Sequence, residues 1–264
     1  MSEEFIGEEP CRVLSDAQKQ QFQEEGFCIL EKVISDEHLK LLREECAHWM
    51  EVMDAEMDAK GVTTLGITHK GSRYFIANKW MQSDRLPQFI WSDLMAGICR
   101  DTLGDTAYLF HEQYVVKSAE KGMHFGWHQD SGYVGHDHKP YLSCWCALDN
   151  VTEENGTVYL LPYSRAGTRD WVPHTKEEGT NDLIGYTGDD PGIPVICGAG
   201  SIAIFSSTVF HRSGPNNTNE MRRIYLPQYS AEPIMNKDGS KLWNHAEPVL
   251  REGKIVEAPV RVGA

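Results

Sequence analysis

Trp127-His128-Gln129-Asp130, answered far downstream by His211 and then by Arg222, is the stretch from which fold and chemistry are both read. On an extended segment, side chains two apart project to the same side, so His128 and Asp130 reach one point while Gln129 points away. A third ligand then has to arrive from a distant strand. His211 suits that role because it follows Gly198-Ala-Gly-Ser-Ile-Ala-Ile-Phe-Ser206, an apolar, β-rich run that reads as a core strand ending near a site. Two imidazoles and a carboxylate on one face of a metal leave its other positions open. Mononuclear Fe(II) sites that use O2 require this, and closed structural zinc sites do not have it. Arg222 adds a planar cation suited to an anionic co-substrate.

Arg222 has a competitor in Arg223, since adjacent strand residues face opposite sides and only one enters a pocket. The same period puts Gln113 and Lys117 on one face with His111 and Val115. If that face is inward, Gln113 bonds the co-substrate and Lys117 meets a charged group. Phe75, Trp80 and Trp127 are candidate substrate walls, with core packing as the alternative. Two competing histidine patterns are weaker. His124 lies a helical turn before His128, but Gly126 and the flanking aromatics argue against helix, and His136-Asp137-His138 follows Gly135 in a turn with no downstream partner.

From Ala107 the chain reads as short β runs: Ala107 to Val116, Leu142 to Leu148, Thr157 to Leu161, Pro194 to Ile196, Ser201 to Phe205 and Arg223 to Tyr229. Punctuated by Gly, Pro, Asn and Asp, these suggest a sandwich or barrel rather than βαβ units. The part before it reads as largely helical. Ser15 caps a helix ending at Gly26, and Ser35 starts another with Leu39, Leu42, Cys46, Trp49, Met53 and Met57 on one face. A third runs from Ser83 through Pro87, Ile90, Leu94 and Ile98 to Gly104. One domain over 1–264 is expected, helix-rich to about residue 105, with a β core over about 106–232. The polar stretch between Arg165 and Pro194 is a candidate lid, and Gly61 to Trp80 a second cover.

With 264 residues and 41% hydrophobic content the chain can bury a full core. A net charge of −14 argues against a nucleic-acid partner. No run approaches the ~18 apolar residues of a membrane span, and the acidic N-terminus is unlike a secretory signal. A cytoplasmic protein is therefore expected, and oligomeric state is not legible. Seven scattered cysteines, Cys144-Trp-Cys146 among them, fit reduced structural thiols.

Taken in order, Phe22-Gln-Glu-Glu-Gly-Phe-Cys-Ile-Leu30, Trp127-His-Gln-Asp130, Asn155-Gly-Thr-Val-Tyr-Leu-Leu-Pro162, His211-Arg-Ser-Gly-Pro-Asn216 and Met221-Arg-Arg223 resemble the phytanoyl-CoA dioxygenase family of Fe(II)/2-oxoglutarate oxygenases. The resemblance implies a mainly β fold, a double-stranded β-helix or jelly roll of the cupin kind, with flanking helices. It implies iron on His128, Asp130 and His211. Arg222 would pair with the distal carboxylate of 2-oxoglutarate, helped by Ser213, with Trp145 lining the pocket. Pro162-Tyr-Ser-Arg165 departs from the family's usual Pro-Gly-Ser-His. Related halogenases replace the carboxylate ligand by a small residue, so Asp130 points to hydroxylation of a small molecule over halogenation, with O2 as the other co-substrate; desaturation, epoxidation or ring-forming oxidation could use the same oxidant. Two other readings stay open: a non-catalytic metal or small-molecule binder of the same fold, and a zinc hydrolase.

Overall fold

In the computed structural model, residues 12–120 and 123–259 are described; Cys11 and the two ends of the expected domain lie outside them. Helix α1 (Asp16–Glu25) starts at Ser15, whose hydroxyl accepts from Gln18 N while the Gln18 side chain returns to the Ser15 backbone. It ends at Gly26, where φ of +82° favours a residue without Cβ. Helix α2 (Asp36–Ala59) is capped by Ser35 and buries Leu39, Leu42, Cys46, Trp49 and Met57, as the periodicity predicts. The third helix is broken in two, α3 (Leu86–Ile90) and α4 (Asp93–Thr102). Ser92 is the reason: its side chain accepts from Met95 N and restarts the helix, a cap hidden inside an apolar run.

The part before residue 105 is less helical than its pattern suggests. It contributes β1 (Phe27–Leu30) and β2 (Arg73–Ala77), runs too short for periodicity to tell from helix. The remaining principal strands are β3 (Ala107–Lys117), β4 (Phe125–His128), β5 (Leu142–Ala147), β6 (Val158–Leu161), β7 (Ile202–Ser206), β8 (Phe210–Ser213), β9 (Arg222–Ser230) and β10 (Glu247–Arg251). All their pairings are antiparallel. The larger sheet runs β1-β7-β5-β9-β3-β2, with β10 pairing the start of β3 and so lying beyond residue 232. The smaller runs from Ile193–Pro194 through β6 and β8 to β4.

Strand alternation divides the side chains between two layers. Trp145, Ala147, Ala203, Phe205, Ile224 and Leu226 of the larger sheet meet Val158 and Leu160 of the smaller. On the opposite face Cys144, Cys146, Ile204 and Tyr225 pack on Leu42, Cys46, Phe89 and Ile98 of the helices. Truncating a fully buried residue there, Leu42→Ala for example, costs about 2–5 kcal/mol. This is a jelly roll with helices against one face. The six described cysteines are all buried and unpaired, and burial pushes the Cys28 and Cys46 thiols up to about 12, which suppresses thiolate chemistry. Among the described residues no helix is long and apolar enough to cross a membrane.

Candidate metal centre

β4 and β8 lie side by side with His128 and His211 as direct Cα partners, their rings 4.1 Å apart between centroids. Each Nδ1 meets a backbone carbonyl two residues earlier, Gly126 O at 2.8 Å and Val209 O at 3.1 Å. With Nδ1–H donating there, each Nε2 keeps its lone pair for a metal ion. Burial, then the neighbouring His211, pushes His128 well below the usual imidazole range, so its ring is neutral.

Asp130 reaches the same point by a different route from the one its spacing suggests. The strand stops at His128, and Asp130 adopts helical angles (φ −58°, ψ −37°) just before the short helix Ser131–Val134. A turn, not strand alternation, brings it in. Its Oδ1 lies 3.5 Å from His211 Nε2, while Oδ2 receives the Ser143 hydroxyl at 2.6 Å and Gln228 Nε2 at 2.8 Å. The ligand atoms of His128, Asp130 and His211 all fall within 4.8 Å of one another, the one such cluster among the described residues. Two imidazoles and a carboxylate whose second oxygen is already occupied suit a divalent transition metal. His124 is exposed near Glu177, His136 bonds Met235 O, and His138 contacts Ser131, so none joins the cluster.

A cavity of about 60 Å3 opens on one side of these ligands, and Gln113, Lys117, Trp145, Ser213 and Arg222 all line it. Along β9, Arg222 alternates inward with Ile224 and Leu226, whereas Arg223 turns to Asp149 at 2.7 Å on the other face. Arg222 is only 1% exposed, and its Nη2 donates to Gly156 O. Its Nε and Nη1 are buried without a hydrogen-bond partner. Burial pushes this guanidinium down to about 9. Lys117 is the Cα partner of both Arg222 and Arg73. It donates to Ser213 Oγ at 2.8 Å and to Gly214 O, and burial, with Arg222 and Arg73 beside it, holds its ammonium well down. A second cavity, of about 230 Å3, shares Phe75, Gln113, Phe125, His128 and Asp130 with the first and extends to Trp243.

Residues 22–224 match the phytanoyl-CoA dioxygenase (PhyH) family. The chain belongs to that family. It is 26% identical over 242 residues to an ectoine dioxygenase of Bordetella bronchiseptica, covering 84% of this chain and 78% of the relative. It is 21% identical to a probable alpha-ketoglutarate-dependent hypophosphite dioxygenase of Stutzerimonas stutzeri, covering 93% and 91%. Among solved structures, EctD from S. alaskensis with 2-oxoglutarate and 5-hydroxyectoine superposes with a TM-score of 0.66 at 19% identity, covering 93% and 89%. The alpha ketoglutarate dependent carbocyclase SnoK from nogalamycin biosynthesis gives 0.69 at 16%, covering 93% and 98%. This PhyH-family protein is an Fe(II)/2-oxoglutarate-dependent dioxygenase.

Two expected substrate walls lie elsewhere in this family member. Trp127 alternates away from His128 and packs on Tyr186 and Arg212, and Trp80 is core, against Trp91 and His245. Neither lines either of these two cavities, whereas Phe75 lines both. The stretch from Arg165 to Pro194 supplies none of the lining residues of the two cavities, though Leu183 N donates to Tyr133 OH in the wall of the larger one. It forms a small hairpin (Thr175–Lys176 with Leu183–Ile184) and buttresses β4 from outside. Gln129, the residue pointing away from the metal set, holds it: Gln129 N donates to His174 Nε2, and its side chain bonds Asp170 O and Val172 N. Asp182 of the same hairpin makes a buried bidentate pair with Arg73 at 2.9 Å. From the second expected cover, Ile67 and Phe75 do line the larger cavity. Arg165, at the departure from the family pattern, pairs with Asp190 at the surface.

Sequence reasoning missed Ser143, Gln228, Gln129, Arg73 and Asp182. Gln228 was discoverable, because it lies an even number of residues after Arg222 on an apolar strand and so had to face the same interior.

Proposed function

We propose that His128, Asp130 and His211 hold Fe(II), and that Arg222, with Lys117, Ser213 and Trp145 around it, receives the distal carboxylate of 2-oxoglutarate. The observation that carries this reading is the buried Arg222 guanidinium, whose Nε and Nη1 have no partner beside the metal cluster. A desolvated cation with two idle donors is poised for a carboxylate, which it can hold bidentately. Bound Fe(II), with 2-oxoglutarate and O2, supplies an oxidant that breaks an unactivated C–H bond, with release of succinate and CO2.

The protein's own part is positional. The carbonyls of Gly126 and Val209 orient the two imidazoles, Ser143 and Gln228 orient the carboxylate, and Gln113 stands where the two cavities meet. The small-molecule substrate enters the larger cavity, whose walls exclude bulk water. Because Asp130 fills the position that a halide would need, hydroxylation is favoured over halogenation, while desaturation, epoxidation or ring-forming oxidation would use the same oxidant. A zinc hydrolase would leave the donors of Arg222 without a role.

The test is an anaerobic titration of metal-free protein with Fe(II) and then 2-oxoglutarate, following the visible charge-transfer band of the chelate. The band is expected in the native protein, absent in Asp130→Ala, and shifted to higher 2-oxoglutarate concentration in Arg222→Ala. Fe(II) binding with no band sinks the proposal.

A further inference from the structure

The two cavities that meet at the metal ligands differ in charge. Arg73, Lys117, Arg212 and Arg222 all line the smaller one. Among the described residues, no lysine or arginine lines the larger. Its one carboxylate, Asp130, is taken up by Ser143 and Gln228 through Oδ2 and faces His211 through Oδ1. The walls are aromatic, formed by Phe75, Phe110, Phe125, Tyr133, Tyr141 and Trp243.

Beside Asp130, the polar side chains of the larger cavity include His111, Gln113, Gln228 and Asn244, and Asn244 Nδ2 donates to His111 Nδ1 at 2.7 Å. Burial, with His245 nearby, pushes His111 down to about 4, so the ring is uncharged at neutral pH. Gln113 also lines the smaller cavity, so its amide, with two N–H donors and one acceptor oxygen, stands at the junction where an occupant would meet it. Apart from the metal set itself, the walls offer an ion of either sign no lysine, arginine or unengaged carboxylate to replace its lost hydration, which disfavours it. The volume of about 230 Å3 matches roughly eight waters at about 30 Å3 each.

We propose that the larger cavity takes a small, uncharged, planar or cyclic group that presents an acceptor oxygen to Gln113, and that it excludes carboxylates, phosphonates and organic cations from the position beside the metal. This rests on the metal and co-substrate assignment above. It makes Gln113, at the junction of the two cavities, a specificity-determining residue.

Benzamide, benzoate and benzamidinium have nearly one shape and three charges, so they isolate the electrostatic choice. Each is added to anaerobic protein loaded with Fe(II) and 2-oxoglutarate, and broadening of the probe's aromatic NMR signals by the paramagnetic metal reports entry beside it. Benzamide is expected to bind about tenfold or more tighter than either ion, a difference of ~1.4 kcal/mol. Trp243→Arg, at the 46% exposed mouth, is expected to strengthen benzoate by about threefold, the size of a partly exposed ion pair. Benzoate or benzamidinium equalling benzamide in the native protein, or no broadening by benzamide, overturns the proposal. The charge-transfer band is recorded on the same sample: a normal band with unselective probes overturns the substrate class alone, whereas a missing band overturns the underlying assignment and the proposal with it.

Discussion

Gln228 Nε2 donates across 2.8 Å to Oδ2 of Asp130, the oxygen turned away from His211. Gln228 also donates to Ser143 Oγ at 2.8 Å, so the three side chains lock into one arrangement. A carboxylate fixed in this way meets a metal without first losing rotamer freedom. Gln228→Leu is therefore expected to weaken Fe(II) binding about 10- to 100-fold while the chain stays folded. Competition against a chromogenic chelator, with circular dichroism as the folding control, measures it. Unchanged Fe(II) affinity would show that Asp130 needs no support from Gln228.

The neighbouring arginines of β9 separate binding from stability. Arg222→Ala removes charge-assisted bonds to a buried carboxylate, and the Kd for 2-oxoglutarate is expected to rise about 100-fold. Arg222→Lys restores the charge without the planar fork and rescues little of that loss. Arg223→Ala breaks the pair with Asp149 on the helix side, lowering the melting temperature with little effect on 2-oxoglutarate. The reverse pattern would mean that the inward and outward residues have been exchanged.

How much of this was legible follows from the range of each signal. Period-2 alternation put Gln113 and Lys117 on one face without saying which way that face turned, and Arg222 was preferred to Arg223 by its spacing from His211 in the family resemblance; in the structure Gln113, Lys117 and Arg222 line the smaller cavity. The ligand trio was legible because its residue types are rare in combination. What escaped were contacts set by tertiary packing. Nothing local to Asp182 says that it will meet Arg73, and nothing local to Trp127 says that Tyr186 and Arg212 will claim its ring. The break at Ser92 and the turn at Asp130 were missed for a related reason: apolar periodicity averages over several residues and cannot resolve one that caps or bends the chain.

The Arg73–Asp182 pair ties the buttressing hairpin to β2, and both side chains are almost wholly buried. Asp182→Ala leaves Arg73 buried without its counter-charge, a loss of about 3–5 kcal/mol where pairs of this kind are broken. Hydrogen exchange is expected to quicken across residues 165–194 and along β4, which that segment supports. In Arg73→Met with Asp182→Leu no charge is stranded, so protection should largely return. Equal exchange in the single variant and the native chain would mean that Gln129 and His174 alone hold the segment.

Glu112 supplies a pH signature remote from the metal. It is fully buried, accepts from Trp80 N at 2.8 Å, and burial raises its carboxyl to about 7. An unfolded glutamate titrates near about 4.3. Between these two values the native chain holds a proton that the unfolded chain has released, so stability falls as pH rises through this window and levels off above it. Glu112→Gln keeps an acceptor for Trp80 N but cannot ionise. Its melting temperature is expected to exceed that of the native protein at pH 8, to approach it at pH 5, and to vary less between the two. Thermal denaturation at both pH values decides the matter: parallel curves for the two proteins would mean that Glu112 is ionised in the fold, with a partner strong enough to offset its burial.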